Sequence, residues 1–226
     1  MHFSIISKTV FVNIKIILSH KRVTFFFNSQ AFPAGILQGQ FFSANRPLFM
    51  NYGAIGSIIG HEITHGFDDT GNQFDENGNL VDWWEPKTAE AFKEKAKCII
   101  DQYGNFSEQT SGLNLNGIDT QGENIADNGG FKEAYKAYQK YTRVNGVEKK
   151  LPGLNYSTNQ LFWISAAQTW CEVIRPEEMK SNILTDSHSP NKFRVLGSFA
   201  NLKEFSADFK CRKGTKMNPD MKCKVW

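Results

Sequence analysis

Two histidines four residues apart, with a glutamate after the first, make the segment His61-Glu62-Ile63-Thr64-His65 the strongest candidate for chemistry. On a helix this spacing places both imidazoles on one face, within reach of a single metal ion. Glu62 would then lie beside the metal, where it could take a proton from a bound water. The pattern also arises by chance in helices with surface histidines, but the apolar residues before His61 favour a buried helix. The segment predicts two zinc ligands and a general base.

A catalytic zinc usually has three protein ligands and one open position, so a third ligand must lie elsewhere. The metzincin pattern requires Gly and His three and six residues after His65, where this sequence has Asp68 and Gly71, and that class is excluded. Glu123 is the candidate third ligand, and Asp127, one turn later, could orient a ligand histidine. Both acids would equally suit a helix N-terminus, where they complement the dipole.

The helices that must position these residues can be outlined from apolar spacing. Small and branched residues from Ala54 to Phe67 predict a buried helix, in which Gly56 and Gly60 permit close approach of another backbone. Pro86 suits the first turn of a second helix. The apolar residues of that helix recur at three- and four-residue steps, namely Phe92, Ala96, Ile99 and Tyr103.

Further helices are predicted from Glu123 to about Thr142 and from Gln160 to Val173, and the C-terminal third is expected to be loop-rich. The predicted fold is therefore mainly α with minor β. The segment Gly71 to Gly78 predicts a turn or short hairpin. Its acidic residues do not make a calcium loop, because the sixth and twelfth positions hold Leu80 and Pro86 instead of Gly and Glu.

The composition is that of one globular domain: 226 residues, 40% apolar and 22% charged. The net charge of +3 comes from 26 basic and 23 acidic residues without long runs, so no nucleic-acid partner is expected. The apolar segment Val10 to Leu18 is broken by Asn13 and Lys15 and is too short to span a membrane. A cleavable signal is disfavoured by the position of the basic run at 20–22.

Four cysteines lack the spacing of a zinc ribbon or redox motif, which leaves free thiols and disulfides as equal alternatives. They are Cys98, Cys171, Cys211 and Cys223. Two sequons, at Asn105 and Asn155, permit glycosylation if the chain enters a secretory compartment.

Four motifs in this order resemble the neprilysin family of zinc metalloendopeptidases, which includes the endothelin-converting enzymes. They are His61-Glu62-Ile63-Thr64-His65, Gly122-Glu123-Asn124-Ile125-Ala126-Asp127, Asp186-Ser187-His188-Ser189-Pro190 and Cys223-Lys224-Val225-Trp226. The segment from Phe32 to Gln38 resembles the start of the matching region. The resemblance implies that residues 32–226 are the C-terminal part of a thermolysin-like zincin (gluzincin) catalytic domain, with residues 1–31 unassigned.

The resemblance also implies an active site that holds one zinc ion and cleaves small peptides on the amino side of apolar residues through a zinc-activated water. The implied zinc ligands are His61, His65 and Glu123, and the implied base is Glu62. Asp127 and Asp68 would orient the histidines. His188 would stabilise the oxyanion, and Arg194 would hold a substrate carbonyl. The implied specificity pocket consists of Ile36, Phe41, Ser57, Ile58, Thr169 and Trp170. Ser57 and Thr169 replace residues that are usually apolar in neprilysin.

The same resemblance implies a disulfide between Cys98 and Cys223. It implies that Cys171 and Cys211 each pair with a partner upstream. It also implies that the chain belongs to an extracellular or cell-surface ectodomain in which Asn105 is glycosylated. Family members carry a membrane anchor, a second helical domain and a substrate-pairing edge strand before this region. The edge strand's Asn-Ala motif is expected shortly before Phe32, where this sequence lacks it. A truncated, catalytically weak or inactive zinc-binding fragment is therefore the alternative to an active peptidase.

Overall fold

The computed structural model describes residues 13–17, 24–26 and 29–226. Residues 1–12 and the basic run at 20–22 lie outside this part of the chain. The helices of the described residues are α1 (Leu48–Gly53), α2 (Ile55–His65), α3 (Pro86–Gly104), α4 (Gln121–Asn145), α5 (Thr158–Gln168), α6 (Pro176–Thr185), α7 (Asn191–Asn201) and α8 (Lys203–Asp208). None of these helices is long and apolar enough to cross a membrane. The prediction of a mainly helical fold is confirmed.

A small sheet precedes the helices. Its strands are β1 (Asn13–Ile17), β2 (Thr24–Phe26) and β3 (Ser29–Pro33). The strand order is β1-β3-β2, with β1 parallel and β2 antiparallel to the central strand. Gln30 on β3 is buried and donates a hydrogen bond to the carbonyl of Ile59 (3.3 Å), so the sheet lies against α2.

Glycines set the distance between α2 and α4, the pair of helices with the most extensive mutual contact. A Cβ on Gly60 would lie 2.7 Å from the carbonyl oxygen of Gly130, and a Cβ on Gly130 would lie 2.6 Å from the amide nitrogen of His61. No larger residue fits at this crossing without displacing backbone. The close approach expected at Gly60 is confirmed, whereas Gly56 has only ordinary contacts, the nearest at 3.5 Å.

Two apolar clusters form the core, and α4 and α7 contribute to both. One contains Phe131 of α4 and Phe199 of α7, packed against Trp163 of α5. The other contains Ile125 of α4 and Phe193 of α7, packed against the buried face of α3. The predicted α3 residues Phe92, Ala96, Ile99 and Tyr103 are all buried there. Cys98 and Cys223, which form a disulfide, fasten the C-terminal tail to this second cluster.

The C-terminal third is more ordered than expected. Helices α6, α7 and α8 occupy much of it, and the longest irregular segment there is 209–226. Pro176 begins α6 with two acidic residues in the first turn, which is favourable near the positive end of a helix dipole. These helices are six to eleven residues long, too short to establish a periodic pattern.

The acidic segment after α2 is a turn, as predicted. The carboxylate of Asp75 accepts hydrogen bonds from the amides of Asn77 (2.9 Å) and Asn79 (2.8 Å) and from the Asn79 side chain. An isolated bridge pairs Phe74 with Leu80. Asp75 therefore closes the turn and is not directed outward as a calcium ligand.

Candidate active site

The three predicted zinc ligands meet where the end of α2 crosses the start of α4. The Nε2 atoms of His61 and His65 are 2.9 Å apart, and the Glu123 carboxylate lies 3.2 Å from the first and 3.5 Å from the second. All the potential ligand atoms lie within 4.8 Å of one another. An open cavity of about 670 Å³ adjoins His65 and Glu123, so the cluster is reached from solvent.

The outer nitrogens of both imidazoles face carboxylates. Nδ1 of His61 lies 2.9 Å from Asp127 Oδ1, and Nδ1 of His65 lies 2.6 Å from Asp68 Oδ2. A carboxylate only accepts hydrogen bonds, so each Nδ1 carries a proton, and in the neutral imidazole each Nε2 then presents a lone pair. Two lone pairs at 2.9 Å beside a carboxylate repel one another unless a cation lies among them. The donor set of two imidazoles and one carboxylate fits a zinc ion.

The acidic side chains around the cluster favour a positive charge at the two imidazoles. Burial lowers the pKa of His65, but hydrogen bonds to Asp68 and Glu123 outweigh it and raise the pKa to about 10. Burial raises the pKa of Glu123, but hydrogen bonds to His188, His61 and His65 hold it far below the usual range. The acids thus stabilise a cation at the imidazoles, and a proton and a metal ion would compete for the Nε2 positions.

Glu62 is half-buried beside the first histidine. Burial raises the pKa of its carboxyl, while His61 and His65 lower it. A carboxylate with a raised pKa accepts a proton from water more readily than an ordinary glutamate. The environment of Glu62 therefore suits a general base.

His188 reaches the cluster from the loop between α6 and α7. Its Nε2 lies 3.2 Å from Glu123 Oε1, and its Nδ1 lies 2.7 Å from Asp186 Oδ1. The hydrogen bond to Glu123 raises the pKa of His188 against the lowering effect of burial. In the imidazolium form both ring nitrogens donate, so Nε2 could donate to an oxyanion beside Glu123.

Arg194 of α7 is buried and held from two sides. Its Nε donates to Asp127 Oδ2 (2.7 Å) and its Nη2 donates to Asp127 Oδ1 (2.8 Å), with a longer contact to Glu123 (3.3 Å). Its guanidinium lies over the ring of Trp170 at 4.1 Å from the centroid. Asp127 thus joins the candidate ligand His61 to Arg194.

The residues of the predicted specificity pocket differ in their burial and in their contacts. The side chains of Ile36, Phe41, Ile58, Thr169 and Trp170 are half-buried. The carbonyl of Phe41 accepts the amide of Ile55 at the start of α2, and Trp170 lies under Arg194. Ser57 is 3% exposed, and its hydroxyl donates to the carbonyl of Gly53 at the end of α1, so its proton is not free for a ligand. Their joint role in specificity stays a prediction.

Sequence reasoning assigned no role to Asp186, which holds Nδ1 of His188 and also accepts its backbone amide (2.8 Å). The spacing Asp-x-His in a loop was the available signal, because a carboxylate two residues before a histidine can close an Asx turn on it. Gly130 of α4 also had no predicted role, although it meets Gly60 where α2 and α4 cross.

Comparison with known proteins identifies the chain. A family model described as "Peptidase family M13" matches residues 26–225. The chain belongs to peptidase family M13. This membership confirms the resemblance to the neprilysin family that the four motifs indicated.

The M13 relatives include neprilysins and endothelin-converting enzymes. Neprilysin-2 of Drosophila melanogaster is 62% identical over 199 residues, which cover 88% of this chain and 26% of the relative. Human neprilysin is 55% identical over 200 residues, 88% of this chain and 27% of the relative. Endothelin-converting enzyme 1 of Bos taurus is 51% identical over 199 residues, again 88% and 26%. The chain spans about a quarter of the length of these curated relatives.

Solved M13-like structures share the fold. The Mycobacterium tuberculosis zinc metalloprotease Zmp1, solved with an inhibitor, matches with a TM-score of 0.78 and 36% identity over 82% of this chain and 29% of that chain. A chain of the Haemonchus galactose-containing glycoprotein complex matches with a TM-score of 0.83 and 40% identity over 88% of this chain and 33% of that chain. These likenesses confirm a partial zincin catalytic domain.

Proposed function

We propose that this M13 chain is the C-terminal catalytic part of a zinc metalloendopeptidase that hydrolyses small peptides on the amino side of apolar residues. The observation that carries the proposal is the convergence of His61, His65 and Glu123, with both Nδ1 atoms held by carboxylates and Glu62 beside them. In this proposal His61, His65 and Glu123 hold one zinc ion. A bound zinc ion polarises a water and a scissile carbonyl, which makes hydrolysis feasible near neutral pH.

The chain's own residues supply the proton transfers and the charge stabilisation. Glu62 accepts a proton from the attacking water and passes it to the leaving amine. His188 donates a hydrogen bond to the oxyanion of the tetrahedral intermediate, a contribution of about 10²- to 10³-fold in rate for such a donor. Asp127 and Trp170 hold Arg194, which leaves its Nη1 to donate to a substrate carbonyl.

Specificity and setting complete the proposal. An apolar side chain of the substrate enters the pocket formed by Ile36, Phe41, Ser57, Ile58, Thr169 and Trp170. The domain proper extends over residues 32–226, and the whole protein acts as an extracellular or cell-surface ectodomain with Asn105 glycosylated. An upstream ectodomain portion supplies the remaining walls of the substrate chamber.

A second candidate is a fragment that binds zinc but turns over substrate weakly or not at all. Two observations favour this candidate. The chain matches only about a quarter of the length of its relatives, and apolar side chains in the segment that follows α2 are exposed to solvent. Leu80 is 70% exposed and Trp83 is 46% exposed. Surfaces of this kind usually lie against another part of a protein.

Glu62→Gln tests the proposal. The substitution keeps the shape of the side chain but removes the base, so kcat on a quenched-fluorescent peptide should fall by about 10²- to 10⁴-fold while one zinc per chain is retained. Glu90→Gln, on the exposed face of α3, is the matched control and should leave both unchanged. Full activity of Glu62→Gln would exclude the proposed mechanism, and zinc binding without turnover in the unmodified chain would favour the fragment.

A further inference from the structure

The loop that carries His188 is anchored to α4 by the residue that follows it. His188 and Asp186 are exposed, with 44% and 43% of their side chains accessible, so their mutual hydrogen bond lies in solvent. Ser189 is 1% exposed, and its hydroxyl donates to Asn124 Oδ1 at 2.8 Å. Asn124 directly follows the ligand Glu123. The buried bond therefore joins the residue after His188 to the residue after Glu123.

The orientation of the Asn124 amide is fixed by its other partner. Thr120 Oγ1 donates to the carbonyl of Asn116 (2.8 Å), so the same oxygen accepts from Asn124 Nδ2 (2.9 Å). With Nδ2 committed to Thr120, Oδ1 must face Ser189 as an acceptor. Asn124 is fully buried and Thr120 is 4% exposed, so water does not replace these bonds. A continuous chain of hydrogen bonds thus runs from the 116–120 segment to the His188 loop.

We propose that Asn124 and Ser189 are positioning residues for the reaction, holding His188 in register with the metal site. This inference rests on the role given to His188 in the proposed function. It follows from covalent geometry: the ligand Glu123 and the donor His188 are each one residue from the same buried hydrogen bond. Releasing Ser189 frees the loop to move, and a displacement of about 1 Å in a catalytic group can reduce the rate about 10²-fold.

Ser189→Ala removes the hydroxyl and little volume. We expect kcat on a quenched-fluorescent peptide to fall about 10- to 100-fold with KM changed less than about threefold, because the contact matters in the transition state. Ser189→Thr retains a hydroxyl and should recover most of kcat. Ser181→Ala is the matched control, since Ser181 is exposed on α6, the helix that precedes the same loop, and does not line the cavity beside His65 and Glu123. It should leave kcat unchanged.

A second readout does not depend on turnover. In nitrogen-15 imidazole spectra of the zinc-loaded 226-residue chain, the His188 resonances are assigned by their loss in His188→Gln. They should shift or broaden in Ser189→Ala and stay in place in Ser181→Ala. The His61 and His65 resonances should remain unchanged in both variants. If Ser189→Ala does not fold, Thr120→Val is used instead, because it breaks the far end of the same chain with an isosteric side chain.

The outcomes separate this inference from the proposed function. Unchanged His188 resonances in Ser189→Ala, or a lowered melting temperature with unchanged kcat, would mean that the bond only supports the fold. A chain with no turnover at all would count against the proposed activity, while displaced His188 resonances would still support the positioning role.

Discussion

Asp127 is a buried carboxylate that contacts both His61 and Arg194. It is 2% exposed, it faces Nδ1 of His61, and it accepts two hydrogen bonds from Arg194. Asp68 has a narrower set of partners, since it faces Nδ1 of His65 and otherwise accepts the backbone amides of Thr70 and Gly71. Each carboxylate holds one of the two histidines, but only Asp127 also holds Arg194.

This difference predicts distinct effects for Asp127→Asn and Asp68→Asn. Each substitution weakens the hold on one ligand histidine, so zinc affinity, measured by competition with a chromophoric chelator, should fall about 10- to 100-fold in both. Only Asp127→Asn also weakens charge-assisted bonds to Arg194, and its KM should rise by about tenfold or more.

Asp220→Asn is the control for the loss of one carboxylate charge, because Asp220 is exposed and makes only a 3.7 Å contact with Lys213. Zinc affinity and KM should both stay at their unmodified values there. An equal rise in KM for Asp68→Asn would contradict the inference that Asp127, and not Asp68, holds Arg194.

The residues of the site differ in how far the sequence could predict them. The spacing of His61 and His65 predicted that their two imidazoles would meet, because a separation of four residues on one helix fixes their distance. Nothing local connects Asn124 with Ser189, which are 65 positions apart and meet only through the packing of α4 and the α6–α7 loop. His188 and Arg194 were likewise assigned by family resemblance and not by spacing.

At the scale of elements, the crossing of α2 and α4 determines whether three ligands share one point. Gly60 and Gly130 let the two backbones touch, which brings the first turn of α4 under the last turns of α2. The separation of the helices, and so the distance from Glu123 to the histidines, depends on the absence of two Cβ atoms.

Gly60→Ala should therefore destabilise the protein, by about 1–3 kcal/mol or more, because its methyl group would overlap the Gly130 backbone. The free energy of unfolding in urea measures this effect, and zinc affinity should fall with it as Glu123 moves away.

Gly56→Ala provides a matched control on the same helix. Its added methyl group would meet only ordinary contacts, so the higher helix propensity of alanine should leave stability unchanged or raise it by about 0.5–1 kcal/mol. Similar destabilisation in both variants would point to a general intolerance of α2 and not to the crossing.

The longer elements were predictable and the shorter ones were not. In α3, Pro86 and the recurrence of Phe92, Ala96, Ile99 and Tyr103 indicated both the start and the buried face. Helices α7 and α8 are held by aromatic residues whose partners lie elsewhere in the chain, such as Phe199 against Phe131 and Phe205 against Trp163. Such tertiary contacts leave no local periodicity to read.

For the whole molecule, the disulfide between Cys98 and Cys223 closes a loop of 125 positions. Cross-linking a loop of about 100 residues removes chain entropy from the unfolded state worth about 4.7 kcal/mol in the simplest model, and measured losses run to about 2–5 kcal/mol. Cys98→Ser should lower the free energy of unfolding by an amount in that range, measured in urea without reductant.

Cys171→Ser is the control, because Cys171 is a free, exposed thiol. Its unfolding curve should match that of the unmodified chain. Adding dithiothreitol should reproduce the Cys98→Ser effect in the unmodified chain and change the Cys98→Ser variant little, and a failure of either expectation would argue against this pairing.

The same covalent loop has a topological consequence for the exposed connection between α4 and α5 at residues 146–157. A single cut there divides the chain into one piece with all three metal ligands and Glu62, and another with His188 and Arg194. Because Cys98 lies in the first piece and Cys223 in the second, the two would stay joined by one bond. A nicked molecule would migrate intact on a non-reducing gel, with the two halves of its catalytic apparatus still tethered and able to reassemble.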